Sequence, residues 1–398
     1  MVCVHRQASE SPTPPSKLRR PPTTATSLPR CLAWYLCALA PMILACSSPI
    51  LEVGDGPRSA IGGITGSGGI DAYSAPLLTD SSFPSDCCVP TSGTIVEFPV
   101  PTENAGFGIA AGPDGNIWFT ESSSGQIGRM TLAGILTEFS IPPPAEYPPG
   151  LPFNANPAGI VTGPDGNLWF TDFAAYYIRT ISPVGIISDP QKSTCTSTTD
   201  FLAVGPDANL WLTEFNGPLA RVTPKGTLAE FALPNAGGST GGITTGPDRN
   251  IWFTEEGPNK LGRLTPTGTI TEFPLQGSGL YVLTGIAAGP DGNIWCVGIP
   301  ENADSGTACV VGRSTPDGHL TVFPAPPDFA EPKSITPGPD GNLWFTDFVG
   351  SAIGRVTPDG IFTRFPLPSS GSNPFAIVAG PDGNIWFTEN YKIGRITP

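Results

Sequence analysis

The chain has 398 residues, of which 49 are glycine and 48 are proline, and only 14% are charged. Glycine and proline cost about 1 to 3 kcal/mol each inside a helix and recur every few residues here, which excludes helical bundles, Rossmann folds and TIM barrels. The eight tryptophans and 21 phenylalanines argue against a disordered chain, and the net charge of −14 argues against nucleic-acid binding, which needs a basic surface.

The first 45 residues have the character of an export signal. A basic stretch ends at Arg30, and an apolar run from Cys31 to Ala45 follows that is too short to span a bilayer comfortably. The run ends in Ile-Leu-Ala-Cys46, which resembles a bacterial lipoprotein box in which Cys46 is lipidated and becomes the new N-terminus. Ordinary cleavage near Ala45 is the alternative. We predict a lipoprotein-type signal peptide over residues 1–45, and a protein that is exported, either anchored in the cell envelope or secreted.

The next segment, residues 46–92, is rich in glycine, serine and proline and predicts a flexible tether. We expect the lipid on Cys46 to be the only contact with a membrane. Among the other cysteines, Cys296 and Cys309 flank a single loop and are the best candidates for a disulfide bond.

An internal repeat fills the rest of the chain. The phrase Gly-Pro-Asp-(Gly/Ala/Arg)-Asn occurs seven times, beginning at Gly112, Gly163, Gly205, Gly246, Gly289, Gly338 and Gly380. Each copy is followed by Ile or Leu and then by tryptophan, at spacings of 41 to 51 residues. A unit of this size with four short strands is one blade of a β-propeller.

The fourth unit shows the predicted strands. Strand a is Gly242–Thr245, strand b is Ile251–Glu255, strand c is Lys260–Thr265 and strand d is Thr269–Pro274. Alternation along strand b sends Ile251 and Phe253 to one face of the sheet and Trp252 to the other, as blades buried on both faces require.

The two ends of the repeat region complement each other. The seventh unit stops after strand c, and residues 93–99 carry the missing strand-d pattern before the first strand a. Pairing these ends removes two open sheet edges. We therefore predict an all-β, seven-bladed propeller of four-stranded blades over residues 93–398, closed by an N-terminal strand that completes the last blade, and we expect a monomer.

The phrases Gly-Pro-Asp-Gly-Asn-Ile-Trp-Phe-Thr-Glu121 and Ile-Gly-Arg-Ile-Thr-Pro398 resemble the virginiamycin B lyase (streptogramin B lyase) family over about residues 93–398. The resemblance implies a magnesium-dependent elimination that opens cyclic type B streptogramins at their ester. It also implies a catalytic histidine in a Pro-His-Gly-Ile phrase opening strand a, and functional acids ending strand b.

The histidine position can be followed around the predicted ring. It is occupied by Phe107, Ala158, Asp200, Gly241, Thr284, Lys333 and Phe375. The chain's two histidines are His5, in the leader, and His319, in a turn at the opposite end of the propeller. The sequence therefore leaves open whether the protein is an enzyme. If it is one, Lys333 and Asp200 are the candidates to transfer the proton in place of histidine.

The acid position is better preserved. It holds Glu121, Asp172, Glu214, Glu255, Asp347 and Glu389, with Gly298 in the fifth unit. Six carboxylates near one mouth would attract Mg²⁺ or Ca²⁺, which prefer oxygen ligands, so these are the candidate metal ligands. A residue repeated in nearly every blade can also be structural, accepting hydrogen bonds from the neighbouring loop.

Seven arginines, one per unit on strand c, suggest structural pairing with the turn aspartates or with a strand-d glutamate rather than a phosphate site. They are Arg129, Arg179, Arg221, Arg263, Arg313, Arg355 and Arg395. Departures from the repeat are more informative about function. A long loop over residues 142–156 and an insertion near residues 298–308 both lie on the predicted active face.

These loops, together with rings near the mouth at Phe107, Phe173, Phe215, Phe348 and Phe375, suggest a pocket for an apolar or cyclic ligand. The candidate ligand-binding residues are Phe107, Tyr147, Thr284 and Phe375.

Three functions remain open at this stage. The first is a tethered binding propeller for a small molecule, a cyclic peptide or an envelope component, with no nucleic acid. The second is a magnesium-dependent lyase that works without histidine. The third is a lactonase-like hydrolase, because other propellers hold a divalent ion at the central mouth. A fold alone does not choose among them. The absence of the histidine favours the binding propeller.

Overall fold

A computed structural model of the chain describes residues 92–102, 106–148, 150–173, 177–188, 191–192, 199–214, 217–234, 239–256, 260–275, 281–300 and 309–398. The predicted signal peptide, the lipidation site Cys46 and the tether up to residue 91 lie outside the described residues, as does Phe215. The described residues contain no helix with the length and apolar character that a membrane span requires.

The described chain forms seven antiparallel sheets of four strands each, which confirms the predicted seven-bladed propeller. The first three blades contain β2 Ile109–Ala111, β3 Ile117–Glu121, β4 Gln126–Met130 and β5 Leu136–Ser140; β6 Pro157–Thr162, β7 Leu168–Asp172, β8 Tyr177–Ile181 and β9 Gln191–Lys192; β10 Thr199–Val204, β11 Leu210–Glu214, β12 Leu219–Val222 and β13 Leu228–Phe231.

The next three blades contain β14 Ser239–Thr245, β15 Ile251–Glu256, β16 Lys260–Leu264 and β17 Ile270–Pro274; β18 Tyr281–Ala288, β19 Ile294–Pro300, β20 Val310–Ser314 and β21 Leu320–Pro324; β22 Pro332–Pro337, β23 Leu343–Asp347, β24 Ala352–Val356 and β25 Phe362–Pro366. The seventh contains β26 Ile377–Ala379, β27 Ile385–Glu389, β28 Lys392–Ile396 and, as its outer strand, β1 Ile95–Pro99.

Strand β1 joins the two ends of the propeller. It pairs antiparallel with β28, with Ile95 opposite Ile396 and Pro99 opposite Lys392. The ring of Phe98 stacks on that of Trp386 with centroids 5.5 Å apart, as the strand-d phenylalanine of blade 1 stacks on Trp118. The outer strand of the last blade is therefore packed like any other.

The core lies between successive blades. Ile251 and Phe253 pack against Trp211 of the preceding blade, whereas Trp252 packs against Ile294 and Cys296 of the following one. The alternation predicted for strand b is confirmed, and it explains why both faces of every middle strand are apolar.

The repeated turn fixes the tryptophan on strand b. In all seven blades the indole nitrogen donates a hydrogen bond to the aspartate four residues earlier, as from Trp118 to Asp114 at 2.9 Å. The turn requires a left-handed residue, which is glycine in five copies but Ala208 (φ 57°) and Arg249 (φ 60°) in two.

The strand-c arginines join neighbouring blades. The guanidinium of Arg129 lies 5.5 Å from the ring centre of Trp118, 4.0 Å from the carboxylate of Asp114, and donates to the carbonyl of Pro183 on the next blade at 3.0 Å. Similar contacts occur at Arg263 and Arg395. The predicted pairing with the turn aspartate is confirmed at these positions, and the interaction is a structural one.

Arg179 is an exception, and the prediction for it was wrong. Its strand is aligned so that Arg179 lies opposite Phe170, the register that Gly128 has opposite Phe119, while Thr180 takes the place of the stacking arginine. The apolar residues of β8 set this register, and they put Arg179 on the other face of the sheet.

The predicted disulfide between Cys296 and Cys309 is also wrong. Both cysteines are free and buried. Cys296 packs towards the preceding blade with Trp252, whereas Cys309 packs towards the following blade with Phe329, so the sheet of blade 5 separates the two thiols. Burial raises the pKa of each thiol to about 12.

Candidate functional site

The d-to-a and b-to-c connections emerge at the same end of every blade, where strand a begins and strand b ends. The threonine before the last residue of strand b fixes these starts. Thr346 accepts a hydrogen bond from the amide of Ser334 at 3.1 Å and donates one to the carbonyl of Phe375 on the next blade at 2.8 Å. Thr120 likewise donates to the carbonyl of Ala158 at 2.9 Å. Each of these threonines thus joins the backbone where strand a opens in its own blade to the backbone where strand a opens in the next blade.

Five side chains meet at this end, on blades 6, 7 and 1, and are called the Lys333 cluster. The ammonium of Lys333 lies 2.6 Å from a carboxylate oxygen of Glu331. The same nitrogen lies 5.3 Å from the ring centre of Phe348 and 6.0 Å from that of Phe375. Phe375 in turn contacts Phe107 edge to face, with centroids 4.8 Å apart. A charged pair is therefore set into an aromatic wall.

The loop before β22 positions Glu331. A carboxylate oxygen of Asp347 accepts hydrogen bonds from the amides of Glu331 at 2.8 Å and Ala330 at 3.1 Å, and the amide of Phe348 donates to the carbonyl of Glu331 at 2.8 Å. Asp347 is fully buried, and the side chain of Glu331 is 6% exposed. The ion pair is therefore held by the buried end of strand b.

Lys333 and Phe375 were candidates from the sequence, as was Phe107, and the structure brings these three together. Glu331 was missed. It precedes the repeat's strand a, where no repeated acid draws attention, although its spacing of two from Lys333 places both side chains on one face of an extended segment.

The six acids at the ends of the b strands are at most 2% exposed. Asp172 and Asp347 accept hydrogen bonds from amides of the preceding loop, which is the structural role considered above. One oxygen of Glu121 accepts from the hydroxyl groups of Thr102 and, at 3.3 Å, Ser124. The six acids lie on six different blades, one on each.

Within the described part of the chain no three His, Cys, Asp or Glu side chains are grouped closely enough to hold a metal ion. The described residues thus offer no ready ligand set for magnesium, and cation binding by two or three of the acids stays a prediction.

Burial perturbs several of these acids. It raises the pKa of Glu389 to about 7, with Glu97 adding to the rise and Ser372 and Lys392 opposing it. It also raises the pKa of Glu255 to about 7, to which the charge of Glu272 contributes. A group with a pKa near 7 exchanges protons at neutral pH.

The comparisons with known proteins agree with this architecture. A family model described as the Virginiamycin B lyase family matches residues 86–152 and 151–398. The chain belongs to the virginiamycin B lyase family. A comparison with curated proteins gives no match.

Three solved structures show the same relationship. The chain is 30% identical to a streptogramin B lyase, with a TM-score of 0.67, covering 76% of this chain and 97% of that one. It is 31% identical to virginiamycin B lyase from Staphylococcus aureus, with the same TM-score and 77% and 99% of the two chains covered. It is 32% identical to a catalytically inactive histidine-to-alanine variant of that enzyme with quinupristin, again with a TM-score of 0.67 and coverage of 77% and 99%.

The position of histidine bears on the chemistry open to this member of the virginiamycin B lyase family. None of the seven positions that open strand a carries histidine. His319 is 85% exposed in the turn between β20 and β21, at the other end of the propeller, and lies 3.6 Å from a carboxylate oxygen of Asp317. It does not reach the Lys333 cluster.

The remaining candidates are placed separately. The hydroxyl of Thr284 donates to the carbonyl of Pro332 at 2.8 Å, so it links blades 5 and 6 beside the cluster. Tyr147 lies in the long loop before blade 2, with its hydroxyl bonded to the carbonyl of Pro152 at 2.9 Å. Asp200 lies in β10, and its side chain is outside the described part of the structure.

Proposed function

We propose that this propeller binds a ligand with an aromatic or cyclic body at the face that carries the Lys333 cluster. The observation that supports this most directly is the Lys333 ammonium, paired with Glu331 at 2.6 Å and lying over the rings of Phe348 and Phe375. An apolar wall with one convergent charged pair is the usual composition of a small-molecule site.

The cluster suits a ligand with two features. Its rings offer faces and edges to an aromatic or aliphatic surface. An ammonium group has three hydrogen-bond donors, so Lys333 can keep its bond to Glu331 and still donate to a carbonyl or carboxylate of the ligand. A cyclic peptide with aromatic side chains and exposed carbonyl groups meets both requirements.

We propose binding rather than the family's elimination because the proton-transfer group differs. A base beside the ester must accept a proton, and Lys333 would have to leave its pair with Glu331 to do so. The favoured alternative is a lyase in which Lys333 or Asp200 replaces histidine, since both occupy the ring position of that residue. A lactonase-like hydrolase is the other.

Quinupristin is the probe that separates these functions. We expect the full chain to bind it in a calorimetric titration, to leave its mass and cyclic form unchanged with and without Mg²⁺, and to lose at least tenfold in affinity in Lys333→Met and Phe375→Ala. Lys225→Met, an exposed lysine on the opposite face, is the control.

A linear product of unchanged mass would establish a lyase, and a product heavier by one water a hydrolase. Absence of binding by the folded wild-type chain would contradict the proposal for this ligand class.

We also propose that the protein is exported and carries a lipid on Cys46. The apolar run ending at Ala45 and the cysteine that follows it support this. In cells fed a labelled fatty acid, the wild-type chain should take up label and sediment with membranes, whereas Cys46→Ala should do neither. Equal labelling of both chains would refute lipidation at this residue.

A further inference from the structure

The connection between blades 1 and 2 differs from the others in length. β5 ends at Ser140 and β6 begins at Pro157, so 16 residues separate them, against 6 to 10 at the other six d-to-a connections. The described residues of this loop, 141–148 and 150–156, carry contacts of their own. Tyr147 donates to the carbonyl of Pro152, and its ring meets that of Phe153 edge to face at 5.1 Å. Phe153 also packs on the core between the two blades.

Two buried charged residues of blade 2 hold the ends of this loop. Nη1 of Arg179 donates to the carbonyl of Pro142 at 2.7 Å. A carboxylate oxygen of Asp172 accepts from the amide of Asn156 at 2.9 Å. Both side chains have no exposed surface, and their strand positions place them on the same face of the sheet, towards blade 1.

Arg179 occupies a position where the other blades have almost no side chain. The equivalent residues are Gly128, Ala220, Gly262, Gly312, Gly354 and Gly394. At the five glycines, a Cβ atom would lie 2.0 to 2.7 Å from a strand-b side chain. A guanidinium there replaces glycine with a buried charge, and burying a charge is unfavourable unless its contacts compensate. The longest d-to-a loop is the one that this arginine contacts.

The loop ends beside the candidate ligand site. The carbonyl of Ala158, two residues after Asn156, is 2.5 Å from where a Cβ of Gly108 would lie, and Gly108 follows Phe107 of the Lys333 cluster. Thr120 bonds both segments, accepting from the amide of Gly108 at 3.0 Å and donating to the carbonyl of Ala158. The end of the loop and the backbone next to Phe107 are therefore joined through Thr120.

We propose that Arg179 is a positioning residue that holds the loop before blade 2 as a fixed side wall of the ligand site. This rests on the proposed function for its second part: the wall contacts ligands that extend beyond the Lys333 cluster, and it adds affinity for a large cyclic ligand but not for a small aromatic one. A preformed wall lowers the ordering cost of binding.

The test uses Arg179→Met, which keeps the length of the side chain and removes its charge and donors, and Arg179→Lys, which restores a cationic donor. Hydrogen exchange followed by mass spectrometry measures how well the amides of the loop are protected in the absence of any ligand. In Arg179→Met we expect the non-proline amides of residues 145–155 to exchange at least tenfold faster, those of β7 to stay within twofold of the wild type, and Arg179→Lys to recover part of the protection. Loop exchange equal to the wild type, or acceleration shared by β7 and β8, would overturn the positioning role.

Should Arg179→Met fail to fold, the double variant Arg179→Met/Asp172→Asn removes both buried charges, keeps an oxygen that can accept from Asn156, and is judged by the same exchange criteria. The ligand part is tested by calorimetry with quinupristin and with phenylacetate. We expect Arg179→Met to weaken quinupristin at least tenfold and phenylacetate less than twofold. Equal weakening of both probes, or of neither, would refute the wall's selectivity. A wild-type chain that binds neither probe would overturn the proposed function and the ligand part together, while the exchange result still decides whether Arg179 holds the loop.

Discussion

The carboxyl groups of Glu389, which is buried, and Glu97, which is half-buried, lie on one face of the seventh blade and repel each other. Glu97 opposes Gly394 on β28, and Phe387, two residues before Glu389, opposes the same glycine from the other side. The ammonium of Lys392 pairs with Glu97. Glu255, Glu272 and Lys260 repeat the arrangement in blade 4.

This relationship predicts a stability that depends on pH. Burial is the largest cause that raises the pKa of Glu389, and the charge of Glu97 raises it further. Together they bring this pKa from 4.5 to about 7 in the folded protein. The folded chain therefore retains a proton that the unfolded chain releases between pH 4.5 and 7. The stabilisation is complete below pH 4.5 and is lost as the pH rises through 7.

Glu389→Gln mimics the protonated carboxyl group. We expect its melting temperature to match the wild type at pH 4.5 and to exceed it by a few degrees at pH 8, because the charged form costs on the order of 3 kcal/mol there. Thermal unfolding at the two pH values measures this. Glu255→Gln should behave alike, and Glu230→Gln, on an exposed part of β13, is the control. A loss of stability that is equal at both pH values would contradict the prediction.

A second prediction concerns Asp347, which accepts the amides of Ala330 and Glu331. Asp347→Ala leaves these donors without an acceptor in the interior, and we expect it to lower the free energy of unfolding by about 1 to 3 kcal/mol. Asp347→Asn keeps an acceptor oxygen and should cost less. Urea unfolding of the two variants measures the difference, and equal losses would show that the charge matters rather than the hydrogen bonds.

The free thiols give a third prediction. Because Cys296 and Cys309 are buried and burial raises the pKa of both thiols to about 12, iodoacetamide should not modify them in the folded protein at pH 8. Both should be modified in urea without added reductant. Peptide mapping by mass spectrometry locates the label. Labelling in urea that requires a reductant would show a bond that the structure lacks.

A fourth prediction concerns the candidate metal ligands. The prediction that two or three of the strand-end acids hold Mg²⁺ or Ca²⁺ requires saturable uptake by the full chain in a calorimetric titration at pH 8. The double variant Glu121→Gln/Glu389→Gln should lower that uptake, whereas Glu230→Gln should not. Heats no larger than those of dilution would refute the metal site.

The strands were predictable because one repeated phrase marks the turn between strands a and b and the start of strand b. The tryptophan of strand b follows a turn whose aspartate accepts its indole hydrogen, and this local pair recurs in every blade. The register of a strand was harder to predict where the repeat is imperfect. At Arg179 the prediction aligned the arginine with those of the other blades. Ile178 and Ile181 must face apolar neighbours, however, and their packing determines the register of the strand.

The site was predictable only in part. Topology alone places Phe107, Lys333 and Phe375 at one end, since they occupy equivalent positions where strand a opens. Their mutual contact depends on blades 6, 7 and 1 being neighbours in a closed ring, which the repeat also implies. The pairing of Lys333 with Glu331 depends on how Asp347 folds the loop before β22. The repeated acid indicates that Asp347 can bond a neighbouring loop, but not that these bonds place Glu331 beside Lys333.

The pairing of β1 with β28 has a consequence for the order of folding. About 300 residues separate the partners, so β1 has no neighbour until the last blade has formed. Until then β1 presents an open edge that can pair with other chains. Chains that fold close together are therefore expected to be most prone to exchange strands at this seam, and a chaperone that covers residues 95–99 would protect them.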